Sequence, residues 1–215
     1  MSNPESFIEE VTEEVRRDRL FALFRKYGWI GVLGVVLIVG GAAVTEWRKA
    51  SNRAAAQAFG DAVMVALEQG TAPARRAALA AVPASADRAA ILNLMLASDP
   101  TDDRAGTLAA LDKVASDATL PASYRDLAVL RRVVLSGADM ALADRRAALD
   151  PIAAPGRPFR PLALEQLAYL LVEAGDTAGA IAALQALSQD QEAPSGLRQR
   201  ATQMIVALGG QAATG

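Results

Sequence analysis

The side chains that ordinarily carry enzymatic chemistry are thinly supplied in this chain. Neither histidine nor cysteine occurs among its 215 residues. That removes Ser-His-Asp and Cys-His nucleophilic catalysis, imidazole acid–base work and nearly every zinc site. Disulfides are excluded too, and a cysteine-free chain tolerates either redox compartment. Carboxylates remain. Their densest run is Ser98-Asp99-Pro100-Thr101-Asp102-Asp103, and acids in that density could hold a hard cation such as calcium through oxygen ligands. The run lacks the alternating acids, central glycine and distal glutamate of an EF-hand loop. Its residue types suit a turn leading into a helix N-cap, and it reads as a loop. With no phosphate-cradling glycine loop either, the expectation is a protein that is not an enzyme. No catalytic, cofactor or metal residues are assigned, and no small-molecule substrate.

The elements that would position any site are helical. Alanine and leucine dominate the C-terminal part, where β-branched and aromatic runs are scarce. A net charge of -2 and a pI near 5.3 argue against nucleic acid as the main partner.

The most organised stretch is Tyr27–Thr45, YGWIGVLGVVLIVGGAAVT, 19 residues without a formal charge. As a helix it spans about 28 Å, close to the thickness of a bilayer's hydrocarbon core. It lacks the polar stripe of a soluble core helix. Arg25 and Lys26 close it on one side, and Glu46, Arg48 and Lys49 on the other. Trp29 and Trp47 stand near its ends, where amphipathic rings favour the headgroup region. A cleaved signal peptide is the rival reading. The long charged N-terminal region and the uninterrupted apolar length oppose it, and the small residues Ala54–Ala56 lie too far beyond Arg48, Lys49 and Arg53. An uncleaved anchor is expected. Arg16, Arg17, Arg19, Arg25 and Lys26 precede the span, against Arg48, Lys49 and Arg53 after it. That asymmetry favours a cytoplasmic N-terminus. The chain then divides into a charged cytoplasmic helix (1–26), a transmembrane helix (27–47), a helical domain across the membrane (48–209) and a flexible tail (210–215).

Residues 5–24 form a helix with Phe7, Ile8, Val11 and Val15 on one face. Glutamates come first and arginines last, which complements the helix dipole and equally sets the basic end on anionic headgroups. Gly28, Gly31, Gly34, Gly40 and Gly41 would admit a close helix within the span, but not at GxxxG spacing. After the span the helix is expected to continue towards Gly70, a suitable C-terminal cap, with Pro73 marking a break. Further helices are expected at 74–81, 86–97, 103–116, 121–136, 139–149, 159–174, 177–189 and 195–208, with proline and glycine between them. Nothing reads as a strand.

The segment 162–192, LALEQLAYLLVEAGDTAGAIAALQALSQDQE, resembles a tetratricopeptide repeat. Helix A supplies Leu164, Leu167, Ala168 and Leu171; Gly175-Asp176 make the turn; helix B supplies Ala180, Ile181 and Leu184. Ala168 and Ala180 are small enough to let the two helices meet closely, and Gly175 can take the left-handed conformation that ends helix A. Leu187 departs from the pattern, where a small residue is usual. Other pairs, 86–116 and 122–149, follow the architecture and hardly the consensus. The expected fold class is therefore all-α: a single N-terminal transmembrane helix followed by a tetratricopeptide-repeat-like α-solenoid of antiparallel helix pairs. Arg131, Arg132, Arg145 and Arg146 could decorate its surface, and a solvated face accounts for them more simply.

Taken whole, the chain resembles the bacterial YfgM-like family of membrane-anchored proteins with a tetratricopeptide-like domain. The resemblance rests on EEVRRDRLFALFRKYG (13–28) running into the span, on Trp47 and the alanine-rich helix after it, on YRDLAVLRR (124–132), and on FRPLALEQLAYLLVEAGDTAGAIAAL (159–184). It implies a single-pass inner-membrane protein associated with the SecYEG translocon. Its periplasmic domain would contact exported proteins or periplasmic chaperones, and no defined binding residues carry over. Tethering raises effective concentration near the translocon without demanding high affinity. The alternative is an envelope scaffold for cell-division or wall-synthesis proteins, which the same fold would serve.

Overall fold

Between Pro4 and Pro73 no proline interrupts the chain, and one helix occupies nearly that whole interval. The computed structural model describes residues 4–85, 87–98 and 103–211, with side chains described from Arg25 onward. The hydrophobic face proposed for residues 5–24, the acids at 99–102 and the last residues of the tail lie outside the described side chains.

Two units emerge, Met1–Asp61 and Ala62–Gly215. The first is built on α1 (Pro4–Leu67), 64 residues long. Pro4 stands at its first turn, where a missing N–H costs nothing. The five glycines of the apolar stretch would weaken such a helix in water. A Cβ at any of them would meet open space, so no packing within the chain requires glycine there. The helix ends at Leu67 and not at Gly70, which lacks a left-handed φ. Gln69 closes the end itself, its side-chain amide donating to the Val65 carbonyl.

The second unit continues through α2 (Ala72–Ala80), α3 (Asp87–Leu96), α4 (Arg104–Ser116), α5 (Ala122–Ser136), α6 (Leu142–Leu149), α7 (Arg160–Glu173), α8 (Thr177–Gln189) and α9 (Ser195–Ala207). No strand occurs among the described residues. Side-chain caps set the starts of α2, α4 and α8. Thr71 accepts from the Ala74 N–H, Asp103 from Gly106 and Asp176 from Gly179, the last two at 2.8 Å. The break expected at Pro73 falls at residues 68–71, and Pro73 sits inside the first turn of α2, where proline is tolerated. The helix expected at 139–149 is α6, which starts at Leu142, and a 3₁₀ turn, Gly137–Asp139, precedes it. Gly137, at φ 51°, has already turned the backbone out of α5.

Each helix from α2 to α9 packs on the next in sequence, and α7 also touches α9. Bonds at the helix ends fix direction. Arg104 opens α4 and donates to the Leu135 and Ser136 carbonyls at the close of α5. Arg160 opens α7 and meets Asp190 just past α8 at 2.6 Å. Both neighbouring pairs thus run antiparallel. The core is a succession of three clusters. Ala90, Leu111, Val114 and Ala128 join α3 to α5. Leu130, Val133, Leu149, Ala163 and Leu170 join α5 to α7. Ala168, Leu184, Leu187, Leu197, Ala201 and Ile205 join α7 to α9. Alanine at so many fully buried positions brings helix backbones close.

Candidate membrane helix and binding hollows

The apolar residues of α1 between Tyr27 and Thr45 are not buried by the rest of the protein. Its most hydrophobic 18-residue window has a mean hydropathy of 2.1, and none of it is buried. Trp29 is 63% exposed and Trp47 72%. Arg25, Lys26, Arg48 and Lys49 are exposed at the two ends. Lys26 Nζ lies 5.5 Å from the centre of the Tyr27 ring, and Lys49 pairs with Glu46 at 2.8 Å. Exposed valine, leucine and isoleucine at this density are not stable in water. By length and composition the helix can cross a membrane, a test that a signal sequence near an N-terminus passes as well.

The repeat-like residues come together on α7 and α8. Ala168, Ala180 and Leu184 are fully buried. Gly175 has φ 80°, the left-handed value that ends α7, and the Asp176 side chain caps α8. Ile181 packs against the α7–α9 cluster, as does Leu164. Leu164, Leu167 and Leu171 are only half-buried. They form one wall of a hollow of about 390 Å³ whose other wall is Ala183, Ala186 and Leu187, with the Arg160–Asp190 pair at its edge. A second hollow, about 530 Å³, is bounded by Leu111, Leu130, Val134, Leu135 and Leu162, with Ser98, Arg131 and Gln166 as its polar members. Apolar walls with a few polar groups can hold side chains of another molecule. Among the described residues no three histidine, cysteine, aspartate or glutamate side chains gather to hold a metal ion.

Three of the four arginines read as solvated are structural. Arg131 donates Nη1 to the Leu94 carbonyl at 3.0 Å and Nη2 to the Ala97 carbonyl, closing the C-terminal end of α3. Arg132 reaches Asp112 on α4 at 2.8 Å. Arg145, 6% exposed, binds Glu173 at the end of α7 through Nη1 and Nη2. Arg146 alone is exposed. The bidentate bond raises the Arg145 pKa above its ordinary value and holds Glu173 below its own.

Other pairs went unforeseen. Glu165 is buried on α7, where Arg200 of α9 grips it with two bonds of 2.9 Å and Tyr169 donates its hydroxyl at 3.0 Å. Burial, then the neighbouring Glu165 carboxylate, pushes the Tyr169 pKa up. Asp190 is held low, first by the Glu192 backbone N–H and then, against its burial, by Arg160. Buried Asp126 on α5 receives Arg157 from the loop before α7. Arg76 ties α2 to Asp103 at 3.0 Å and to the Leu96 carbonyl at 2.9 Å. A lone acid among apolar residues, as at Glu165, is the one sequence signal that could have marked such a pair.

No family model, no curated protein and no solved structure matches the chain.

Proposed function

We propose that this chain is a membrane-anchored protein-binding scaffold. Residues 27–47 cross the bilayer once, and the helices after them stack as a tetratricopeptide-like solenoid on its periplasmic side. On this reading the protein sits beside the SecYEG translocon of a bacterial inner membrane and meets exported chains or periplasmic chaperones, as the resemblance to the YfgM-like family implies. One observation carries the anchor: an apolar window with no part of it buried in the protein. Burying such a surface in lipid is favourable at roughly 25 cal/mol per Å². The binding role is supported by two apolar-walled hollows on a framework in which arginine–carboxylate pairs, each with one buried partner, link the helices. Such a framework gives partners a fixed surface and leaves the hollows free for side chains of another chain.

Membrane preparations answer the first half. The full chain stays in the pellet after carbonate washing, and protease reaches residues beyond 48 only from the periplasmic face. Release by carbonate removes the anchor. Extraction in mild detergent answers the second half. Recovery of translocon subunits or exported proteins is expected, whereas recovery of wall-synthesis or division proteins alone would replace the translocon assignment.

A further inference from the structure

The apolar part of α1 ends in a basic collar with little to do inside the protein. Arg48 and Arg53 are exposed and have no acidic partner among the described residues. Glu46, the only acid nearby, is neutralised by Lys49 at 2.8 Å. The next acid along the chain is Asp61, about 22 Å further along the helix axis. Between them lie Arg48, Lys49 and Arg53 and otherwise uncharged residues. Arg48 and Lys49 stand about 5 Å past Thr45, inside a headgroup layer roughly 5–7 Å thick. Arg53 is about 12 Å past it and can reach back, its methylenes lying along the helix. Trp47, also exposed, is at the same level as Arg48.

We propose that this collar binds the phosphates of anionic phospholipids in the leaflet at the Thr45 end of the span. The inference rests on the anchor reading and adds a lipid class to it. A guanidinium meets a phosphate with two parallel hydrogen bonds. In zwitterionic lipids the headgroup's own cation competes for that phosphate; in anionic lipids it does not. Each unpaired basic residue near the surface favours the anionic lipid by up to about five-fold. The bound headgroups pin the helix along its axis.

Trp47 is a built-in reporter, because the chain holds two tryptophans and Trp29→Phe leaves it alone. The Trp29→Phe full-length chain is reconstituted into vesicles of phosphatidylcholine and phosphatidylglycerol, with bromine on the acyl chains of one lipid or the other at equal mole fraction. Brominated phosphatidylglycerol is expected to quench Trp47 more strongly than brominated phosphatidylcholine. Arg48→Gln with Arg53→Gln abolishes that preference, and Arg25→Gln with Lys26→Gln leaves it intact. Equal quenching by the two lipids in the parent, or a preference that survives Arg48→Gln/Arg53→Gln, overturns the collar while the anchor stands. Quenching by neither lipid overturns both.

Discussion

Leucine 37 offers a test in which water and lipid give opposite answers. It lies near the middle of the 27–45 stretch and is 66% exposed, so Leu37→Arg removes almost no contact within the protein. In a water-facing helix such a change stays within about 0.5 kcal/mol of neutral. In a bilayer the same change loses a leucine contribution and adds an arginine near the midplane, together about 3–4 kcal/mol on the insertion scale. The nine isoleucine, leucine and valine residues of 27–45 contribute about −3 to −5 kcal/mol in all on that scale. One arginine thus offsets most of the driving force. Val36→Arg with Leu37→Arg, at about 6–8 kcal/mol, exceeds it. The assay is paired: the carbonate-resistant fraction reports insertion, and thermal melting by circular dichroism reports the helical domain. Resistance should fall in the single variant and vanish in the double, with melting of the domain unchanged. Full carbonate resistance in the double variant would refute the membrane reading. Loss of the domain's melting transition would mean that the 27–45 stretch packs on protein.

Within the helical domain, Leu184→Ala empties a fully buried position shared by α7, α8 and α9. It should cost about 3 kcal/mol and lower Tm by about 6–12 °C in a calorimetric scan. Arg145→Ala strands Glu173 at the end of α7 and should lower Tm clearly, whereas Arg146→Ala, one residue on and exposed, leaves it unchanged; equal effects would contradict the placement of α6. Acid should weaken the domain in a predictable direction. Glu173 and Asp190 both have folded pKa values below their ordinary ones, so the stability they give is present above the carboxylate range and lost as pH falls through the folded values. Tm should therefore drop below pH about 4, and the gap between parent and Glu173→Gln should shrink with it. A gap that stays constant into strong acid would remove Glu173 from the account.

What could be seen in advance was whatever depends on near neighbours. The Gly175-Asp176 turn was legible because its causes are local: a left-handed glycine and a carboxylate that reaches the N–H three residues on. The apolar stretch of α1 was legible for the same reason, since its lack of charge is a property of consecutive residues. Helix boundaries shift by a few residues where two local cues compete. Pro73 breaks a helix from inside and starts one from its first turn, and only the Thr71 cap decides between them. Gly70 is of the right type for a cap, yet Gln69 closes α1 first.

The arginines were illegible for a deeper reason. Arg145 and Arg146 are adjacent and chemically identical, and rules on charge patterning treat them as one solvated pair. A step of one residue turns a helix by about 100°, which faces Arg145 towards α7 and Arg146 towards water. Their fates then depend on where Glu173 stands, 28 residues away in sequence. Arg131 is harder still, because its partners are backbone carbonyls exposed by the end of α3, and any residue type supplies a carbonyl. The half-buried leucines of α7 share this indeterminacy. Leu164, Leu167 and Leu171 have the spacing of core residues, and whether they meet a neighbouring helix or a hollow is decided by the bulk of Ala183 and Ala186 opposite. Small residues there leave a wall unmatched, so the alanine content that made the fold readable as helical also conceals which of its faces are open to a partner.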